Sequence, residues 1–159
     1  DRLVPDCVRS LHRGEDVVIR SPAAIRPWQH VFEPLYGYLL LGSRLLEGHR
    51  SFADGWNLGP VGFDTWTVEE VVNAVCKAWG EGRWVLSPDA RRHEAHWLRL
   101  DASRAALELG WRPLYDTEGA ISKTVAWYRK FYGDGPGPAL LEYSVRDLHD
   151  YMDAQGVTP

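Results

Sequence analysis

Hydrophobic positions along this chain follow two rhythms, one of helices and one of strands. Val4, Val8 and Leu11 recur at helical spacing, and Gly14 can end that helix. Val17 to Ile19 is a short β-branched run that predicts a strand. Pro22 and Pro27 punctuate the bend after it. From Val31 to about Glu47 the apolar positions Val31, Leu35, Tyr38, Leu39, Leu45 and Leu46 predict a helix, closed by Gly48. Pro34 is tolerable there, because a first turn needs no intrahelical donor.

The second half reads in the same way. "SFADGWNLGP" predicts a strand running into a glycine–proline turn. Thr67 with Glu70 three residues on is a capping box, and its helix closes at Gly80. "RWVLSP" is a short strand, and "HWLRLD" alternates as another. Asp101 caps a short helix stopped by Gly110. The segment "TEGAISKTVAWYRKFYG" predicts an amphipathic helix burying Ile121, Val125, Tyr128 and one of Phe131 and Tyr132. "GDGPGPALLEY" reads as a loop, with Ser144 capping a last helix whose stripe is Val145, Leu148, Tyr151 and Met152. There is no internal repeat. The pattern alone supports a mixed α/β or α+β domain.

Length and composition narrow this. A chain of 159 residues favours one domain, or one domain with a fragment of another. The opening residues read as a helix already under way, which suggests a fragment lacking its N-terminal part. Net charge is −4 and no basic stripe appears, which argues against a nucleic-acid surface. The longest apolar run, Leu39 to Gly42, is too short to span a bilayer. Cys7 and Cys76 lack metal-ligand spacing and read as buried free thiols in a reducing cytosol.

Candidate chemistry is sparse. The sequence has no GxGxxG turn, no P-loop and no GxSxG. His93 and His96 stand three apart, but at the entry to a predicted strand they would face opposite ways. Arginines say more. Arg20 ends a strand, Arg26 sits in the proline-braced bend, and Arg91 and Arg92 precede a later strand. Such forks bind phosphates bidentately. Surface ion pairs with Glu33 or Glu94 are the competing reading.

Taken in order, "DRLVPDCVRSL", "VVIRSPAAIRPWQHVFEPLYGYLLL", "WNLGP", "HEAHWLRLDASRAALELGW" and "AISKTVAWYRKFY" cover nearly all of the chain. They resemble the C-terminal part of the extended short-chain dehydrogenase/reductases that act on nucleotide sugars. Pro27, followed by Trp28 and Gln29, points to the branch that handles CDP-glucose. The implied fold is α/β: a late Rossmann strand and helix, at residues 30–60, plus a small mixed α/β substrate-binding domain, the whole of 1–159 being the substrate-side portion. The implied activity of the parent is 4,6-dehydration of CDP-glucose with tightly bound NAD, in deoxysugar biosynthesis. The family's YxxxK pair is absent here, since Tyr128 is followed four residues on by Tyr132. The resemblance therefore places the cofactor on an N-terminal part outside this chain. It implies no NAD on this chain alone, no catalytic residue in it and no activity by itself.

The resemblance also implies substrate contacts. Leu3, Val4 and Pro5 begin the helix beside the nucleotide, and Val18 and Arg20 flank the base. Arg26 reaches the diphosphate, Arg91 makes a second diphosphate or ribose contact, and Glu94 meets the ribose. Relatives read "HPHEA" where this chain reads "RRHEA", so Arg91 and Arg92 depart from the family pattern. No metal, nucleic acid or membrane is implied; a cytoplasmic location and a homo-oligomeric parent are. His30 is expected to support the bend through a hydrogen bond, and Glu33 to suit the helix dipole or pair with an arginine. Trp28, Trp97, Trp111 and Trp127 are expected mostly in or beside the core. The alternatives are another epimerase or dehydratase of the same family, or a truncated, non-catalytic binding fragment.

Overall fold

The computed structural model describes residues 2–60, 65–88 and 96–157. Helix α1 spans Leu3–His12 and leads through Gly14, at φ +69°, into strand β1, Val17–Ile19. Helix α2 is Phe32–Leu46, α3 is Val68–Trp79 and β2 is Trp84–Leu86. Helices α4, Thr117–Asp134, and α5, Pro138–Ala154, complete the chain. Strands β1 and β2 pair in parallel, with Val17, Val18 and Ile19 opposite Trp84, Val85 and Leu86. Parallel neighbours need a long crossover, and here it carries α2 and α3.

One core sits where α1, α3 and α4 meet the buried face of β1. Cys7, Val8 and Leu11 from α1 pack with Val71, Val72 and Val75 from α3, Val17 and Ile19 from β1, and Ile121 and Val125 from α4. Each fully buried valine contributes about 1.5–3 kcal/mol. The capping box fixes where α3 starts. Thr67 Oγ1 accepts from Glu70 N at 3.2 Å, and Glu70 Oε2 accepts from Thr67 N at 2.7 Å. Two further first-turn donors find carbonyls in the bend: Val68 N donates to Ala24 O and Glu69 N to Pro22 O. The orphan amides of α3 thus hold the bend in place.

A second, smaller core joins Leu58, Ala102, Ala105, Leu109 and Trp111 to one side of α2. Gly37 allows this contact, because a Cβ there would lie 2.5 Å from Leu58 Cδ1. The other side of α2 is apolar and open: Leu35, Tyr38, Leu39 and Leu46 are all exposed.

Several expected elements differ. Residues 51–60 form no strand; Arg50–Phe52 is a 3₁₀ turn, followed by extended chain. "HWLRLD" is no full strand either, because only Trp97 bridges, to Ile25. Alternation supplied a face, but among the described residues no second strand runs alongside to pair with it. The helix after Asp101 ends in π geometry at Ala105–Leu109. Helix α5 begins at Pro138, not after Ser144, because proline suits the first helical position. Ser144 lies inside it, donating to Leu140 O at 2.8 Å and accepting from Trp127 Nε1 at 2.9 Å. The buried stripe of α5 is accordingly Leu140, Asp147 and Tyr151, with Val145 and Leu148 exposed. Trp111 is fully buried and Trp97 lies exposed, contrary to its expected place.

Candidate functional site

The bend from Ser21 to His30 is clamped from three sides. Ile25 N donates to His96 O at 2.9 Å, and Leu98 N donates to Ile25 O at 3.2 Å. Trp28 Nε1 donates to Trp66 O at 3.0 Å, which ties the bend to the approach of α3. Gln29 Nε2 donates to Leu58 O at 2.9 Å, tying it to the second core. Arg26 Nη1 donates to the neighbouring Ile25 carbonyl at 2.8 Å, and the side chain is half-buried.

Strand β1 has its alternation to thank for the next feature. Val17 and Ile19 face the core, so Val18 faces out, 59% exposed. It looks into a cleft of about 680 Å³ walled by α1, β1 and the bend. Leu3, Val18, Arg20 and Arg26 all line this cleft, so four of the residues singled out in the sequence share one space. The cleft volume lies within the range of small-molecule sites. Val4 and Pro5 line a second cavity, also about 680 Å³, on another side of α1 and reaching α4 and α5. Arg91 and Glu94 lie outside the described residues, as do Arg92 and His93.

Residues not singled out in the sequence also line the first cleft: Asp6, Arg9 and Ser10 reach it from α1 and Arg13 from just past its end, while Trp28, expected in or beside the core, lines it from the bend. Arg9 is paired with Asp6, and Arg13 with Glu15 at 2.9 Å. Their helical spacing, every three or four residues from Leu3, was the available signal. Cys7 lies fully buried against the cleft floor. Burial pushes its thiol up to about 12, with smaller contributions from Cys76 and Asp6. Both cysteines are free and buried, as expected.

Behind the bend, His30 supports it as expected: its Nδ1 accepts from Phe32 N at 3.3 Å, and its ring meets Phe32 and Tyr115 edge-on. Burial lowers the His30 pKa, opposed by Asp147 and assisted by Lys123. Glu33 stands in the first turn of α2, as expected, and among the described residues it pairs with no arginine. It is wholly buried and accepts from Leu114 N and Tyr115 N at 3.0 Å each and from the Tyr151 hydroxyl at 2.6 Å. Its own carbonyl accepts from Trp111 Nε1 at 2.9 Å. No group of three or more metal-ligating side chains occurs among the described residues. Among the same residues no helix is long and apolar enough to cross a membrane.

The backbone is a mixed α/β fold, mostly helical with a small parallel sheet, and it is similar in fold to UDP-N-acetylglucosamine 4-epimerase from Bacillus cereus, with a TM-score of 0.59 at 18% identity, over 81% of this chain and 43% of that one. The sequence is similar to a C-terminal part of CDP-glucose 4,6-dehydratase from Salmonella typhimurium, at 41% identity over 155 residues, 97% of this chain and 42% of the relative. dTDP-glucose 4,6-dehydratases are more distant: that of an Actinoplanes species is 30% identical over 81% of this chain and 39% of its own length, and that of Streptomyces antibioticus is 29% identical over 81% and 37%. No family model matches. The chain thus spans about two fifths of the length of these relatives.

Proposed function

We propose that this chain is the nucleotide-sugar-binding portion of a 4,6-dehydratase that acts on CDP-glucose. The observation that carries the reading is the shared cleft: Leu3 and Val18 give it apolar walls, and Arg20 and Arg26 give it guanidinium groups for a diphosphate. The greater identity to the CDP-glucose relative favours that substrate over dTDP-glucose. Arg91 and Glu94 would add a diphosphate or ribose contact and a ribose contact. Residues 30–60 would belong to the Rossmann layer, with the open face of α2 against its sheet.

The parent reaction would be loss of water from the sugar, a lyase reaction. NAD would supply transient oxidation at the sugar's C4 and return the hydride to C6. This chain's own residues do not fit that cofactor: they include no glycine-rich phosphate turn and no YxxxK pair. Their work would be to bind and orient the nucleotide, and the chain by itself would be inactive. A cytoplasmic, homo-oligomeric parent completes the proposal. A second reading, another nucleotide-sugar dehydratase or epimerase, draws on the dTDP relatives and the epimerase backbone.

Thermal melting with CDP-glucose, UDP-glucose and no ligand tests the reading. A ligand at a hundred times its Kd stabilises by roughly 2.7 kcal/mol. A shift selective for CDP-glucose and abolished by Arg26→Ala supports it. A shift that survives Arg26→Ala overturns the diphosphate role, and a selective shift with UDP-glucose favours the second reading.

A further inference from the structure

The cleft holds a charge pattern that a diphosphate alone does not explain. Four arginines line it, and among its described lining residues Asp6 is the single carboxylate. A carboxylate weakens an anion site, so its presence calls for a donor in the ligand. Asp6 stands three residues after Leu3, one turn along the same face of α1, beside the apolar wall that Leu3 and Val18 form. Its Oδ2 accepts from Arg2 N at 3.1 Å and its Oδ1 from Arg9, so its position is fixed and its charge partly balanced. Two carboxylate oxygens offer about four lone-pair sites, which leaves acceptor capacity on a side chain that lines the cleft.

We propose that Asp6, with Arg9 bound to it, selects cytosine over uracil and thymine at this cleft. The inference rests on the nucleotide-binding reading above and assigns its base specificity. Cytosine presents an exocyclic amine beside the ring acceptor N3. Asp6 accepts from the amine, and Arg9 donates to N3. Uracil and thymine reverse both groups: the carbonyl O4 would face the carboxylate, and the N3–H would face the guanidinium. Carboxylates accept from the cytosine amine in nucleic-acid recognition for the same reason. The mismatched base is rejected because its polar groups, and those of the cleft, are left unpaired.

The test is calorimetric titration of the 159-residue chain with CDP, UDP and inorganic pyrophosphate. The wild-type chain should prefer CDP to UDP by about tenfold or more, the size of one good base contact. Asp6→Asn, whose amide can turn either way, should bring the two within about twofold. Asp6→Ala should weaken CDP while UDP holds or tightens, a gain that mere loss of structure cannot produce. Pyrophosphate should bind both variants at least as tightly as the wild type, since losing a carboxylate favours an anion, and that binding also shows that they fold. An Asp6→Asn chain that keeps the CDP preference overturns the inference and leaves the diphosphate reading standing. So does a wild-type chain that binds CDP and UDP equally, with Arg26→Ala abolishing both. A wild-type chain that binds none of the three ligands overturns the cleft assignment and the inference together.

Discussion

The Tyr151 hydroxyl donates to Glu33 Oε2 at 2.6 Å, joining α5 to the first turn of α2 across 118 residues of chain. Two backbone amides, from Leu114 and Tyr115, complete the shell around the same carboxylate. One side chain therefore gathers three segments that share no backbone ladder. A buried charge is tolerable only when it is satisfied in this way.

Glu33→Ala should destabilise by about 3 kcal/mol or more, since it strands two amides and a hydroxyl away from water. Tyr151→Phe removes one hydrogen bond to a charged group and should lose about 1.5–3 kcal/mol. Urea denaturation checks both. Burial, and then Glu33, raise the Tyr151 phenol above its usual 10.0. A folded pKa above the unfolded one gives stability that is complete below about pH 10 and is lost at higher pH. Tyr151→Phe should flatten that alkaline limb.

His30 predicts the acid limb. Its folded pKa lies below the unfolded value of 6.5, so the unfolded chain takes up the proton first. Stability should be intact above pH 6.5 and fall below it, by up to about 1.4 kcal/mol per pH unit from this group. Urea midpoints at pH 7.5 and 5.5, compared between the wild type and His30→Gln, measure it. An equal pH dependence in both would show that the loss lies elsewhere.

Thr67→Ala removes the capping box that starts α3, and should cost about 1 kcal/mol. Because Val68 and Glu69 donate to the bend from the same turn, amide exchange at those two positions should quicken along with it.

Gly82→Ala tests the seam between α1 and the approach to β2. Gly82 has φ +107°, and a Cβ there would strike the Leu11 side chain. Backbone strain and overpacking together should cost about 2–4 kcal/mol, read as a lowered Tm.

Most helices were legible in the sequence because periodicity and capping are local, but the start of α5 was not, since Ser144 resembles a cap and lies inside the helix. Val4, Val8 and Leu11 predicted α1, and Thr67 with Glu70 predicted the start of α3 within a residue. "HWLRLD" misled because a strand is defined by its neighbour, which alternation cannot supply. Glu33 was legible only in part, for a related reason. A glutamate in a first turn satisfies the helix dipole, and nothing local announces that Tyr151 and the 114–115 backbone will close over it. At the cleft, Leu3 and Val18 came from resemblance, while Arg20 and Arg26 already stood out by their places at a strand end and in the proline-braced bend. Asp6 and Arg9 needed coordinates, because their i, i+3 pairing reads in sequence as an ordinary solvated ion pair.

Cys7 turns the seam between α1 and α3 into a clock. Burial pushes the Cys7 thiol up to about 12, which disfavours the thiolate, the form that reacts. Full burial also bars any reagent from reaching the sulfur in the closed state. Alkylation of Cys7 therefore requires an opening of the core that exposes the sulfur. Its rate, followed by mass spectrometry, times the exposure of the sulfur at the floor of the cleft beside α1.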